Sequence, residues 1–221
     1  MNECIKDPDI EAVLTVGRTL TGISHPKLYE IIQPDVSDLS LIEPQLNGFD
    51  VCIFCIGISS ALISDDAYEA TTYDLAVSVG NCLALLNPQM TFIYISAHGA
   101  DSTEKTPIIW ARVKGKTENA LRKLPFNAVY VFRPSMIQPL NNIHSRTRMY
   151  RLLYGLLKPI LPFLHRHFPK YVTTTQELAQ AILMVAKQGY DQPIIETGAF
   201  ATLAKAYQSQ PIKALAEDNH L

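Results

Sequence analysis

The sequence predicts an open α/β fold, a parallel sheet with helices on both faces. Three observations carry this. Short β-branched runs are apolar at consecutive rather than alternate positions, which implies burial on both faces. Segments with apolar residues at helical spacing lie between them. The two kinds of segment alternate, as strand–helix–strand units require. The 221 residues are 48% hydrophobic and 18% charged, with a formal net charge of −2, 10 Gly and 4 Cys. That composition excludes a disordered chain, a collagen-like chain and a disulfide scaffold.

The first predicted strand is Ala12–Gly17 and a weaker second is Tyr29–Gln33. Val51–Ile56, Phe92–Ser96 and Ala128–Phe132 follow. A helix is expected over Asp65–Leu86, with Tyr73, Ala76, Val77, Gly80, Leu83 and Ala84 on its apolar stripe and Asn87-Pro88 as its stop. Thr106–Leu121 reads as another, with Pro107 in its first turn and Trp110, Val113, Thr117 and Leu121 at helical spacing. Thr174 to Glu177 has the pattern of a capping box, and Gly189 suits the position just past that helix.

Met1 to Val13 lacks a basic stretch followed by an apolar one, so no secretory leader is read there. Together with four cysteines suited to a reduced compartment, this gives a cytoplasmic expectation. Cys52 and Cys55 have CxxC spacing, but on a strand they point to opposite faces, so two buried thiols are expected and no metal site. Between Asn119 and Gln176 there are nine Lys and Arg and no Asp or Glu. Within that window Met149, Leu153, Leu156, Ile160 and Leu164 recur at helical spacing among basic residues, with breaks at Pro159 and Pro162. This reads as a lid or substrate-side helix. The alternative is a basic amphipathic helix on a membrane surface or a partner. No aromatic-interleaved basic motif accompanies it, so nucleic acid is not expected.

In an open parallel sheet, ligands bind beyond the carboxyl ends of the strands. The residues just past each strand are therefore the candidates. They are Gly17-Arg18, then Asp35 and Val36, then Gly57 and Ile58, then Ser96 to Gly99, and finally Arg133, Pro134 and Ile137. An arginine such as Arg18 can pair with the 2′-phosphate of an NADP ribose. A glycine such as Gly57 lets a dinucleotide approach the backbone.

Tyr94 to Ser96, the run Trp110 to Glu118 with its Lys114-Gly115, and Phe132-Arg133-Pro134 resemble an atypical short-chain dehydrogenase/reductase. The nearest branch is the Tat-interacting-protein-like, epimerase-dehydratase-like group of NAD(P)-binding Rossmann proteins. The resemblance runs from about residue 1 to about residue 198. It implies that Ser96 hydrogen-bonds the reacting carbonyl or hydroxyl. It implies that Lys114 holds the nicotinamide ribose. It implies that Arg18, Asp35, Gly57 and Ile137 line an NADP or NAD cofactor.

The chain departs from that pattern twice. The family tyrosine four residues before the lysine is Trp110, whose indole N–H donates a hydrogen bond but cannot serve as an acid or base. Tyr94, Tyr73 and His98 are the candidates to replace it. Second, no three of the glycines fit a G-x-x-G-x-x-G or G-x-G-x-x-G turn. Met1 to Pro8 reads as the tail of a first helix, so the family's first strand and its phosphate cradle are not found in the sequence. Three outcomes are expected for the resulting gap: a product that starts upstream with Met1 internal, the favoured one; direct pairing of the Ala12 and Val51 strands; or an unstable fragment that aggregates along its open edges.

The expected organisation is an N-terminally truncated Rossmann-type domain over 1–145 and a basic substrate-side segment over 146–172. A C-terminal helix and strand over 173–200 pack back on the domain, and 201–221 form a tail. The expected function is an NAD(P)-binding oxidoreductase or epimerase of impaired activity, acting on a small molecule. The alternative is a non-catalytic binding or regulatory protein that docks a partner or an anionic membrane through 146–170.

Overall fold

The computed structural model describes residues 1–140, 168 and 170–210, apart from the side chain of Leu62. Helix α1 is Asn2–Lys6. Strands β1, Val13–Gly17, and β2, Leu28–Ile32, follow it and pair in parallel. The short α2, Glu43–Leu46, leads to β3, Val51–Phe54. A helical run then opens as α3, Asp65–Glu69, passes through a π turn over Ala70–Asp74 and continues as α4, Leu75–Leu86. β4 is Thr91–Ile95, α5 is Ile109–Leu121 and β5 is Ala128–Arg133. β6, Met136–Gln138, pairs in parallel with β7, Val172–Thr174. The chain then forms α6, Thr175–Gln188, β8, Ile194–Glu196, and α7, Thr197–Gln208.

The main sheet is parallel throughout, in the order β3-β4-β5-β8, and β1-β2 forms a separate parallel pair. The five expected strands are present, each within two residues of its expected ends. The helix expected to open at Thr106 begins three residues later, at Ile109. The residues before it form a loop held by Asp101, which accepts from Thr103, Lys105 and Thr106. The C-terminal helix α7 runs to Gln208, into the stretch expected to be tail. The basic segment from Arg146 lies outside the described residues, except for 168 and 170–172.

Why these residues fold this way is local at several points. Thr174 and Glu177 form the reciprocal capping box of α6, and Gly189 ends that helix at φ 73°. On α4, Val79 rather than Val77 is buried beside Ala76, Gly80, Leu83 and Ala84. Gly115 of α5 lies so close to the loop that a Cβ there would sit 1.8 Å from the Asp101 carbonyl oxygen.

Two apolar clusters cover the two faces of the main sheet. One joins Phe54, Phe92, Tyr94 and Val131 to Ala76, Val79 and Leu83 of α4 and Leu121 of α5. Phe92 stacks on Phe126 at 5.0 Å between ring centroids. The other joins Ile93, Phe132 and Ile195 to Ala181, Ile182 and Val185 of α6 and Phe200 of α7. Each such side chain contributes about 1.5–3 kcal/mol on full burial. Leu14, Val16 and Ile31 of the β1-β2 pair pack on the first cluster, so that pair shares a core with the main sheet without hydrogen-bonding to it. The expectation of direct pairing between the Ala12 and Val51 strands is therefore not met.

The N-terminal segment is tied to the C-terminal helices. Asp7 is 2% exposed and accepts from Lys187 Nζ at 2.8 Å and from the Tyr207 hydroxyl at 2.6 Å. Burial opposes ionisation of Asp7, but these partners hold its carboxyl below the usual range.

Candidate functional site

Parallel strands end together, so β4, β5 and β8 deliver Ser96, Arg133 and Glu196 to one edge of the sheet. Helix α5 lays Trp110, Lys114 and Glu118 on one stripe, each four residues from the next. Tyr94 and Ser96 share one face of β4. The two sets meet. Lys114 Nζ stands 5.6 Å from the centre of the Tyr94 ring, and Ser96 Oγ donates to Glu118 Oε1 at 2.5 Å.

Glu118 is fully buried and is held by Arg133, whose Nε donates to Oε1 at 3.0 Å and Nη2 to Oε2 at 2.5 Å. Such a planar fork suits a guanidinium. Burial opposes the Arg133 charge, but Glu118 and then Glu196 raise its pKa above the usual value. Arg133 also donates to Ser102 Oγ at 2.7 Å and to Glu196 Oε1 at 3.4 Å. The other Glu196 oxygen lies 3.0 Å from His98 Nδ1. The network thus runs from buried Ser96 through Glu118, Arg133 and Glu196 to exposed His98.

The remaining members differ in access. Tyr94 is 1% exposed, and burial raises its pKa. A phenol so enclosed is out of reach of a ligand. Tyr73 is engaged beneath Lys116, whose Nζ is 4.0 Å from the ring centre. Trp110 packs against Gly99, where a Cβ would lie 3.1 Å from the indole Cη2. Burial lowers the Lys114 pKa, and Glu118 acts in the opposite sense.

Of the residues expected from the sequence, Ser96 and Lys114 come together on β4 and α5, and Trp110 adjoins them on the helix stripe. Pro134 is buried beside them, its carbonyl accepting the His98 N–H at 3.0 Å. Ile137 is half-buried on β6. Gly57 and Ile58 are exposed just past β3. Arg18 is exposed past β1. Asp35 is exposed and accepts the Ser37 N–H and hydroxyl in a turn past β2, while Val36 packs on the core. Sequence reasoning missed Glu118, Arg133 and Glu196 as one group. A signal existed for the first two: Glu118 continues the Trp110–Lys114 stripe, and Arg133 ends a strand in a window without acids.

The geometry can be tested against a dinucleotide. At Gly17 and Gly57, a Cβ would meet nothing within 4 Å, so both strand ends border open space. The diphosphate is a different matter. It is gripped by a helix that opens directly after a strand. Here β1 leads through irregular chain to β2, and the helical run after β3 opens with Asp65 and Asp66 in its first turn. Two carboxylates there repel a phosphate. The described residues leave open space beside these strand ends and do not fit the diphosphate of a dinucleotide. Nor, among them, is any group of three or more His, Cys, Asp or Glu arranged to hold a metal ion, and no helix is long and apolar enough to cross a membrane. The expectation of two buried thiols is not met: Cys52 is half-buried, its thiol pushed up to about 12 by its apolar surroundings, and Cys55 is exposed just past the end of β3.

No protein-family model and no curated protein matches the sequence. Solved structures match the fold. A short chain dehydrogenase family protein from Francisella tularensis subsp. tularensis SCHU S4 superposes with a TM-score of 0.63 at 13% identity, over 91% of this chain and 92% of that one. The Bordetella bronchiseptica enzyme WbmG, solved with NAD, gives 0.60 at 12% identity over 91% and 72%. A UDP-N-acetylglucosamine 4-epimerase from Bacillus cereus gives 0.56 at 12% identity over 86% and 73%. This chain therefore has the Rossmann-type fold of the short-chain dehydrogenases and nucleotide-sugar epimerases.

Proposed function

We propose that the carboxyl edge of the sheet is the binding edge of an oxidoreductase or epimerase scaffold. It takes a nicotinamide dinucleotide and a small-molecule substrate, with NADP(H) preferred over NAD(H). The observation that carries this reading is Lys114. Its ammonium is half-buried at the end of β4, over the Tyr94 ring and attracted by Glu118. A ribose hydroxyl there would give a hydrogen bond to a charge that burial disfavours. In this reading Arg18, exposed past β1, meets the 2′-phosphate, and Asp35, Val36, Gly57, Ile58, Pro134 and Ile137 lie along the dinucleotide. When bound, the nicotinamide would supply hydride chemistry. The groups of this chain supply orientation and proton movement. His98 moves the proton, because its ring is exposed and oriented by Glu196, whereas Ser96 and Tyr94 are buried. Calorimetric titration with NADPH and NADH tests the reading. NADPH is expected to bind about tenfold tighter, with the preference lost in Arg18→Ala. Equal affinities, unchanged by Arg18→Ala, would contradict it.

A second reading is favoured by Ser96 and Trp110 together. The serine's proton is committed to Glu118 and the indole carries no titratable group. In this reading the chain is a non-catalytic binding or regulatory protein that docks a partner or an anionic membrane through the basic 146–170 stretch. Co-sedimentation with acidic liposomes, lost on charge reversal at Arg146, Arg148 and Arg151, would support the membrane form. No pelleting at any lipid composition would remove it.

A further inference from the structure

Four of the five exposed isoleucines among the described residues lie past the carboxyl ends of two neighbouring strands. Ile56, Ile58 and Ile63 follow β3, and Ile108 follows β4. The fifth, Ile32, ends β2. An exposed apolar residue on its own needs no explanation. Several at one end of a sheet form a patch, and a patch marks contact with something outside the fold.

The helices bring the patch together. The helical run that opens as α3 and helix α5 cover the same face of the main sheet, through Ala76 and Leu121. Each follows a strand of a parallel sheet, so both run the same way. Lys116 of α5 holds them side by side, bonded to Glu69 at 2.5 Å and lying over the Tyr73 ring. Both helices therefore open at the carboxyl edge. Ile63 stands just before the first of them, and Ile108 at the start of the second. Trp110, two residues on, is half-buried and packs against Gly99, the neighbour of His98.

The two helix starts differ in chemistry. Ser64 caps α3, its hydroxyl accepting the Ala67 N–H at 3.3 Å. Ile108 holds the equivalent place on α5. Its backbone, at φ −76° and ψ 105°, already has the extended shape of a cap, but its side chain has no oxygen to accept with. Serine or aspartate there would stabilise the helix. Isoleucine gives up that gain and, at 53% exposed, recovers little from burial within the fold.

We propose that Ile56, Ile63 and Ile108, with the Trp110 ring beside them, form the substrate wall of the carboxyl edge. They select a small molecule with an apolar body and one carbonyl or hydroxyl oxygen. Ile108 is the specificity-determining residue. The apolar body lies on the isoleucines and the oxygen is directed to His98. The inference rests on the reading of this edge as a dinucleotide and substrate site, in which Ile58 is taken by the dinucleotide.

A titration of the full chain, labelled at its isoleucine methyl groups and followed by NMR, tests it. The probes are methyl ketones of increasing chain length, with UDP-N-acetylglucosamine as the polar comparison. The ketones are expected to shift the Ile63 and Ile108 methyls, and each added CH2 to tighten binding up to about fourfold. Ile108→Asp should weaken ketone binding about tenfold while raising the melting temperature by about 2–4 °C, because it caps α5. Ile108→Leu should keep the affinity. Ile63→Ser, outside any helix or strand, should also weaken binding. The inference is overturned if Ile108→Asp binds ketones as the parent does, or if its melting temperature falls, which would make Ile108 a packing residue. It is overturned equally if no ketone shifts these methyls, or if they shift only as protein concentration rises, which would assign them to a contact between copies. Ketone binding there without any NADPH binding would leave the apolar wall standing and remove the dinucleotide reading. NADPH binding with these methyls answering to UDP-N-acetylglucosamine and not to ketones would keep that reading and overturn this one.

Discussion

Ser96 donates its single hydroxyl hydrogen to Glu118 across 2.5 Å, and the acceptor is a fully buried carboxylate. A hydroxyl has one hydrogen to give. While Glu118 holds it, Ser96 offers a ligand only lone pairs, and a ligand carbonyl finds no donor there. The bond is structural: it locks the end of β4 to α5 and, through Arg133, to β5.

Truncation of this group separates its parts. Glu118→Ala leaves the Arg133 guanidinium with only the longer Glu196 contact and Ser102, and should cost about 3 kcal/mol. Ser96→Ala removes one hydrogen bond to a charged group and should cost about 1–3 kcal/mol. Urea denaturation measures both. Losses below about 0.5 kcal/mol in each variant would show that the network does not hold the edge together.

Close approach at one glycine and open space at another make a matched pair. Gly115→Ala would set a Cβ 1.8 Å from the Asp101 carbonyl oxygen, a backbone atom that cannot swing aside. The expected loss is about 3 kcal/mol or more. At Gly57 an added Cβ meets nothing within 4 Å. Gly57→Ala should leave stability within about 0.5 kcal/mol while weakening NADPH binding, because the methyl enters the space assigned to the ligand. Thermal melting and calorimetric titration of the same two variants check this.

Acid should weaken the fold through two aspartates. Hydrogen bonds from Thr103 and from the backbone of Thr106, Thr103 and Lys105 hold the Asp101 carboxyl down to about 2, against an ordinary 3.8. Asp7 is also held low by Lys187 and Tyr207, against the opposing effect of burial. Each carboxyl takes up its proton more readily in the unfolded chain than in the fold. Their stabilisation is therefore complete above the ordinary value and is lost as pH falls from about 4 toward 2. Denaturation midpoints across that range should fall steeply in the parent chain and less steeply in Asp7→Asn. An unchanged slope in Asp7→Asn would count against the Lys187 and Tyr207 contacts.

Much of the fold was legible because apolar runs such as Phe92–Tyr94 are buried on both faces, with Val51–Phe54 half-buried beside them, and because capping at Thr174 and the stop at Gly189 are local chemistry. The start of α5 was not legible. Pro107 suits a helix's first turn, but Asp101 draws the backbone N–H groups through Thr106 into a loop. β6 and β7 are three residues each and pair across a long separation, so neither carries a period of its own. The site was half legible. The spacing of Trp110, Lys114 and Glu118 was in the sequence, but that Glu118 is buried depends on Arg133 arriving from the next strand.

Trp110 is the chain's single tryptophan, so its fluorescence reports on one place. The most direct test of a dinucleotide at the carboxyl edge is energy transfer from Trp110 to the reduced nicotinamide. Saturable transfer is predicted, stronger for NADPH than for NADH and competed away by NADP+. No saturable transfer from Trp110 to either reduced dinucleotide would contradict the account.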